Sequence, residues 1–166
     1  MRNLSSTRYL IVETMVKGVK VSVATCHLDS LLESGNLRGT QLELIYNQLK
    51  DAESAVFLGD FNFGDKEEPE TSKLDKSYAD TWKETSGYDA GFTWNIETSK
   101  MALAGSFPNE PSRRLDRIFL RSAQFRAIGT KILGDKALDE DGNVLPSDHF
   151  GLSTTVRVGG KEDRLP

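Results

Sequence analysis

The chain has one cysteine, Cys26, and two histidines, His27 and His149. A single thiol cannot close an internal disulfide, which argues against a secreted, bridge-stabilised scaffold and for a reducing, intracellular compartment. One thiol and two dispersed imidazoles give no structural zinc pattern. No apolar stretch approaches a membrane span, and the opening residues Met1 to Ser6 lack a signal-peptide core. There is no internal repeat, low-complexity tract or linker, so a single domain is expected. Positive charge is not in excess: the net charge is −4 over 166 residues. Nucleic-acid contact would therefore need a local basic surface.

What is present is a set of polar residues placed at the ends of apolar runs. Phe57-Leu58-Gly59-Asp60-Phe61-Asn62 and Leu145-Pro146-Ser147-Asp148-His149-Phe150-Gly151 each put carboxylate, amide or imidazole groups beside such a run. Arg114-Leu115-Asp116-Arg117-Ile118 sets an acid at the start of another, and Val19 to His27 ends on a histidine. Buried strands with these endings would deliver Asp60, Asn62, Asp116, Asp148, His27 and His149 to the rim of a sheet. Each motif alone also reads as turn chemistry, since Asp, Asn and Ser bond their local backbone. Their joint occurrence points to metal-assisted hydrolysis of a phosphoester, which needs a positioned water, a base, donors to the phosphate and a divalent ion.

The local patterns predict a hairpin of strands Arg8 to Met15 and Lys20 to Thr25 around Gly18, an amphipathic helix from Gly35 to Asp51, and a strand from Ser54 to Leu58. A surface loop over Asn62 to Asp75, a short helix over Tyr78 to Glu84 and a short strand over Gly91 to Asn95 follow. A loop over Ser99 to Ser112, a strand over Arg117 to Arg121, a turn at Glu140 to Gly142 and a last strand over Leu152 to Val158 complete the reading, with a polar tail over residues 159–166.

Together these segments resemble the endonuclease/exonuclease/phosphatase superfamily, and within it the 5′-tyrosyl-DNA phosphodiesterases. The closer likeness lies in Thr25-Cys26-His27-Leu28-Asp29-Ser30, Gly59-Asp60-Phe61-Asn62 with Asp65-Lys66-Glu67, Phe92-Thr93-Trp94-Asn95, and Arg113 to Arg121. The resemblance implies an α/β (α+β) fold, a two-sheet DNase I-like β-sandwich flanked by helices. It implies catalytic roles for His27, Asp60, Asn62, Asp116 and His149. Asp60 and Asn62 would handle the attacking water and the phosphate, His149 would donate to a phosphoryl oxygen with Asp116 steadying it, and His27 would approach from the opposite side. Asp148 would lie beside a magnesium or manganese ion, which suits hard oxygen ligands. Ser30, Trp94 and Arg114 would contact substrate, a DNA 5′ end or another phosphodiester, Arg114 as part of the cluster Arg113, Arg114, Arg117 and Arg121 on a solvent face. A DNA substrate implies the nucleus.

The chain also departs from the resembled pattern. Family members carry, ahead of the hairpin seen here, one strand ending in a metal-site Asn and another ending in the principal metal-ligand glutamate; here Glu13 is the only glutamate before His27. Residues 1–158 are therefore expected to be a C-terminal portion of the domain, lacking its first strands, with weak turnover at best and an unpaired sheet edge. The loop after Asn62 has Phe63-Gly64-Asp65 in place of an expected arginine. Two alternatives stay open: a non-catalytic remnant acting by binding, and a phosphodiesterase for a small phosphoester or a phospholipid head group.

Overall fold

The computed structural model describes residues 8–87, 89–141 and 144–159. The chain opens with a hairpin of β1 (Arg8–Val16) and β2 (Val19–His27), joined at Lys17 and Gly18. Both turn residues have positive φ, 50° and 81°, the signature of a turn whose twist matches that of the flanking strands. A 3-10 turn over Leu32–Ser34 leads into α1 (Gly35–Leu49). Its inward face carries Arg38, Gln41, Leu42, Ile45 and Leu49, a spacing of three and four that makes one helical stripe. The chain then enters β3 (Ala55–Asp60), parallel to β2, so β2, α1 and β3 form a crossover unit.

Short elements follow: α2 (Glu70–Lys73), β4 (Ala79–Asp80), α3 (Thr81–Thr85) and α4 (Lys100–Gly105). Next come β5 (Asp116–Arg121), β6 (Phe125–Leu133) and β7 (Gly151–Val158). One sheet has five strands in the order β1-β2-β3-β5-β4; the other is the antiparallel pair β6-β7. On one face of the larger sheet, α1 packs Leu42, Ile45 and Leu49 against Ala24, Cys26, Phe57 and Phe119. Tyr46, Phe57, Phe61 and Phe119 interlock there at centroid separations of 4.8–5.5 Å, a range in which aromatic pairs add to plain area burial. On the opposite face Val21 and Leu120 pack with Phe125 of β6. This is the expected layered α/β arrangement.

Several local expectations differ from the structure. Strand β3 runs two residues further than its apolar stretch, so Asp60 is its last residue. The segment Tyr78 to Glu84 is split, a two-residue strand followed by a helix that begins at Thr81, because Asp80 caps it: its Oδ1 accepts from the amides of Trp82 and Lys83. Trp94 makes a single bridge to Arg113 rather than sitting in a strand over Gly91 to Asn95. The expected loops over Asn62 to Asp75 and Ser99 to Ser112 contain α2 and α4, and β6 was not expected. Part of the expected turn at Glu140 to Gly142, and residues 160–166 of the expected tail, lie outside the described residues. Among the described residues no helix is long and apolar enough to cross a membrane.

Candidate active site

Strand register builds the site. His27, the last residue of β2, is the register partner of Asp60, the last residue of β3, and Asp60 is in turn opposite Asp116, the first residue of β5. Three adjacent strands thus bring His27, Asp60 and Asp116 to one rim. Asp60 Oδ2 lies 3.4 Å from His27 Nε2. Its Oδ1 accepts from the Asn62 amide at 2.9 Å. Asn62 has φ 53°, a left-handed conformation that Asn tolerates better than most residues. Its side-chain Nδ2 donates to the Leu28 carbonyl at 2.8 Å, tying the loop after β3 to the loop after β2.

His149 arrives from the segment before β7. The Phe150 amide donates to the Thr93 carbonyl at 2.7 Å, and the Thr93 hydroxyl accepts from the amides of both Leu115 and Asp116. Thr93 therefore couples the two segments that present the imidazole and its partner. His149 Nδ1 is 2.8 Å from Asp116 Oδ2, and the ring packs on Trp94 at a centroid distance of 5.0 Å. Asp60, Asp116 and His149 offer ligand atoms that all lie within 4.8 Å of one another.

The electrostatics follow from this crowding. Burial, and then the neighbouring charge of Asp116, raise the Asp60 pKa above the ordinary 3.8, while the Asn62 amide and the two histidines pull the other way. For His149 burial favours the neutral ring. The hydrogen bond that Nδ1 donates to Asp116 and the charges of Asp116, Asp60 and Asp148 outweigh it, so the imidazolium is favoured and the pKa rises above 6.5. Beside the group is a cavity of about 220 Å³ whose wall includes Ser30, Asn62, Trp94, Phe107, Arg113 and His149. Trp94 Nε1 is buried there without a partner. The indole also packs on Ala102 and Leu115, so it serves the core and the cavity wall together.

Two of the expected site residues are not among the clustered ligand groups. Asp148 is exposed, accepts from the Ser147 hydroxyl at 3.1 Å, and is not one of the three clustered ligand groups, although its charge acts on His149. Arg114 is 2% exposed. Its guanidinium makes a two-point contact with Asp65 at 2.9 and 3.1 Å and another with Asp80 at 2.7 and 2.9 Å, leaving it no freedom to meet a substrate. Arg117 is equally buried, and Arg121 is spent on the carbonyls of Leu49 and Ala52, so the arginine cluster is not a solvent face. Arg113 lines the cavity, held by Glu110 and Glu67. Glu13 pairs with Lys20 and sits opposite Ser22, five residues along β2 from His27, roughly 16 Å at the rise of a strand. It is no substitute ligand at this rim.

The Arg114 network makes a prediction about acid stability. Burial alone would raise the Asp65 pKa, but hydrogen bonds from Arg114 and Lys83 and the charges of Arg117 and Arg114 hold it at about 2 against an ordinary 3.8. A depressed folded-state pKa contributes stability above 3.8 that is lost as pH falls through 2. The expected outcome in thermal melts is a Tm that drops across this window for the wild type and follows a shallower slope for Asp65→Asn, which starts lower at neutral pH.

Comparison with known proteins bears directly on this rim. Residues 5–149 match the model of the Endonuclease/Exonuclease/phosphatase family. The chain belongs to that family. Within it, the chain is 29% identical to tyrosyl-DNA phosphodiesterase 2 of Danio rerio over 95% of its own length and 42% of that protein. It is 30% identical to the Homo sapiens protein of the same name, over 95% of this chain and 43% of that one. The chain thus spans about two fifths of the length of the curated relatives it matches. A crystal structure of the D. rerio protein complexed with single-strand DNA product superposes with a TM-score of 0.75 and 27% identity, covering 93% of this chain and 65% of that one. Family membership agrees with the DNase I-like sandwich, and the rim at His27, Asp60, Asp116 and His149 falls within the matched residues.

Proposed function

We propose that the protein is a divalent-cation-dependent phosphodiesterase acting on 5′-phosphotyrosyl DNA or a related DNA-end phosphodiester, in the nucleus. The observation that carries this reading is the convergence of Asp60, Asn62, Asp116 and His149 beside one cavity, with a carboxylate at Asp60 and a favoured imidazolium at His149. The relatives named for tyrosyl-DNA phosphodiester cleavage, one of them solved with a DNA product, support the substrate class.

The donor set fits a cation of the magnesium or manganese kind. Two carboxylates and an imidazole lie within 4.8 Å, and Asp60 bears the penalty of burial beside Asp116, a repulsion that a divalent ion relieves. Asp60 and Asp116, with His149 adjacent, would hold it. Once bound, such an ion polarises a phosphoryl oxygen and acidifies water. The side chains do the rest. Asp60 accepts the proton of the attacking water at a carboxylate oxygen, and Asn62, its backbone anchored to Asp60 and its Nδ2 to Leu28, orients that water and the phosphate. His149, whose Nδ1 is committed to Asp116, presents Nε2 to the oxygen on which charge develops. His27 meets the phosphate from the β2 side. Ser30 and Trp94 border the cavity that receives the rest of the substrate.

Hydrolysis of an aryl thymidine 5′-phosphodiester by the purified chain, with magnesium, manganese or EDTA, tests the reading. Weak, cation-dependent release of the aryl alcohol, faster than from a choline-type head-group diester, is expected. Equal release in EDTA, or preference for the head-group diester, would overturn it.

A further inference from the structure

Arg117 is a deeply buried cation near the site, and the site reading above gives it no task. Its side chain is 1% exposed, and its nearest carboxylate oxygen, on Asp65, is 4.0 Å away. Asp65 makes its shorter contacts with Arg114 and Lys83. The guanidinium is therefore a buried cation without a close counter-ion. Such a group destabilises a fold relative to an apolar residue of similar volume, so its presence points to a gain elsewhere.

That gain is visible in what it holds. Arg117 Nη2 donates to the Phe63 carbonyl at 2.8 Å and Nε donates to the Arg114 carbonyl at 3.3 Å. The guanidinium carbon lies 4.6 Å from the centre of the Phe63 ring. Phe63 directly follows Asn62, the residue with left-handed backbone. The loop is thus gripped at three successive points: the Asn62 amide by Asp60, the Asn62 side chain by Leu28, and the Phe63 carbonyl and ring by Arg117. Left-handed backbone at a non-glycine residue is held by its surroundings rather than by its own preference. Of the three grips, Arg117 alone supplies a cationic side chain, and that side chain is buried.

We propose that Arg117 is a positioning residue, a buried guanidinium that locks the Asn62–Phe63 backbone so that the Asn62 side chain is held at the rim beside Asp60. The role rests on the reading of Asn62 as a phosphate and water ligand. It makes stability and local order part company: replacing the cation should leave the fold intact while loosening one loop.

The test compares wild type, Arg117→Met and Arg117→Lys by thermal melting and amide hydrogen exchange. Arg117→Met should keep Tm within about 5 °C. Exchange at residues 61–64 should rise roughly tenfold to a hundredfold, the loss expected of a charge-assisted hydrogen bond, with β6 and β7 unchanged. Arg117→Lys, with one donor point and no planar face, should give a smaller rise at the same residues and still decides the matter should Arg117→Met fail to fold. Unchanged exchange at 61–64, or an equal rise throughout the molecule, would overturn the proposal. In hydrolysis, kcat should fall with KM little changed, and Arg117→Met on an Asn62→Ala background should cost less than about twofold more; full additivity would also overturn it. Absence of turnover in the wild type would contradict the phosphodiesterase reading alone, and the exchange contrast would still judge Arg117.

Discussion

Asp60→Asn is expected to lower cation-dependent phosphodiester hydrolysis by about 10² to 10⁴-fold, the range for losing a general base, while Trp94→Ala lowers it much less. The substitution is nearly isosteric, and the amide oxygen can still accept from the Asn62 backbone. What disappears is the carboxylate at the junction of three strands, the group proposed to take up a proton. Trp94 borders the cavity and packs on Ala102 and Leu115, so its removal opens the cavity wall and loosens part of the core. Initial rates for both variants at saturating magnesium, with melts to confirm folding, make the comparison. Activity in Asp60→Asn close to wild type would remove Asp60 from the mechanism.

The second large effect is structural. Gly59→Ala should lower Tm by roughly 10 °C or more, or abolish soluble expression, through at least about 3 kcal/mol of strain. Gly59 has φ 139°, and a Cβ there would sit 2.0 Å from the Cys26 carbonyl oxygen and 2.9 Å from its amide nitrogen. Both are backbone atoms of the adjacent strand β2, so no side-chain movement relieves the overlap. Gly18 is the control. It also has positive φ, but nothing lies within 4 Å of its would-be Cβ, so Gly18→Ala should cost only about 1 kcal/mol. Equal melting shifts for the two variants would show that the close approach of β2 and β3 does not shape this rim.

The rim was legible in the sequence because strand ends are where apolar runs stop, and Asp60, Asn62, Asp116, His27 and His149 stand at such stops. The layered fold followed from the hairpin, the stripe on α1 and the doubly buried β3. What was not legible has identifiable causes. Strand β6 carries an irregular register between Ala127 and Gly129, so its alternation slips and reads as neither period. Helix α4 has six residues, too few for a helical stripe to repeat. The arginines of β5 were misjudged as a solvent face although the two-residue period was available: Arg117 and Arg121 fall on the same face as Phe119, which packs beneath α1, while Leu120 fills the opposite cluster. A strand covered on both sides has no solvent face, and its cations must spend their donors on backbone carbonyls. Glu110 and its contact with Arg113 carried no sequence signal, since they depend on a loop folding back over the cavity.

The claim that this rim is a cation-holding, phosphate-handling site is tested most directly by titrating Mn²⁺ into the isotopically labelled protein and following paramagnetic broadening residue by residue. The account predicts that signals of Asp60, Asn62, Asp116 and His149 broaden first, and that this early response is lost in Asp60→Asn. Broadening that begins instead around Glu13, Asp51 and Glu53, which line a separate cavity, or a response at the rim that survives Asp60→Asn, would contradict it.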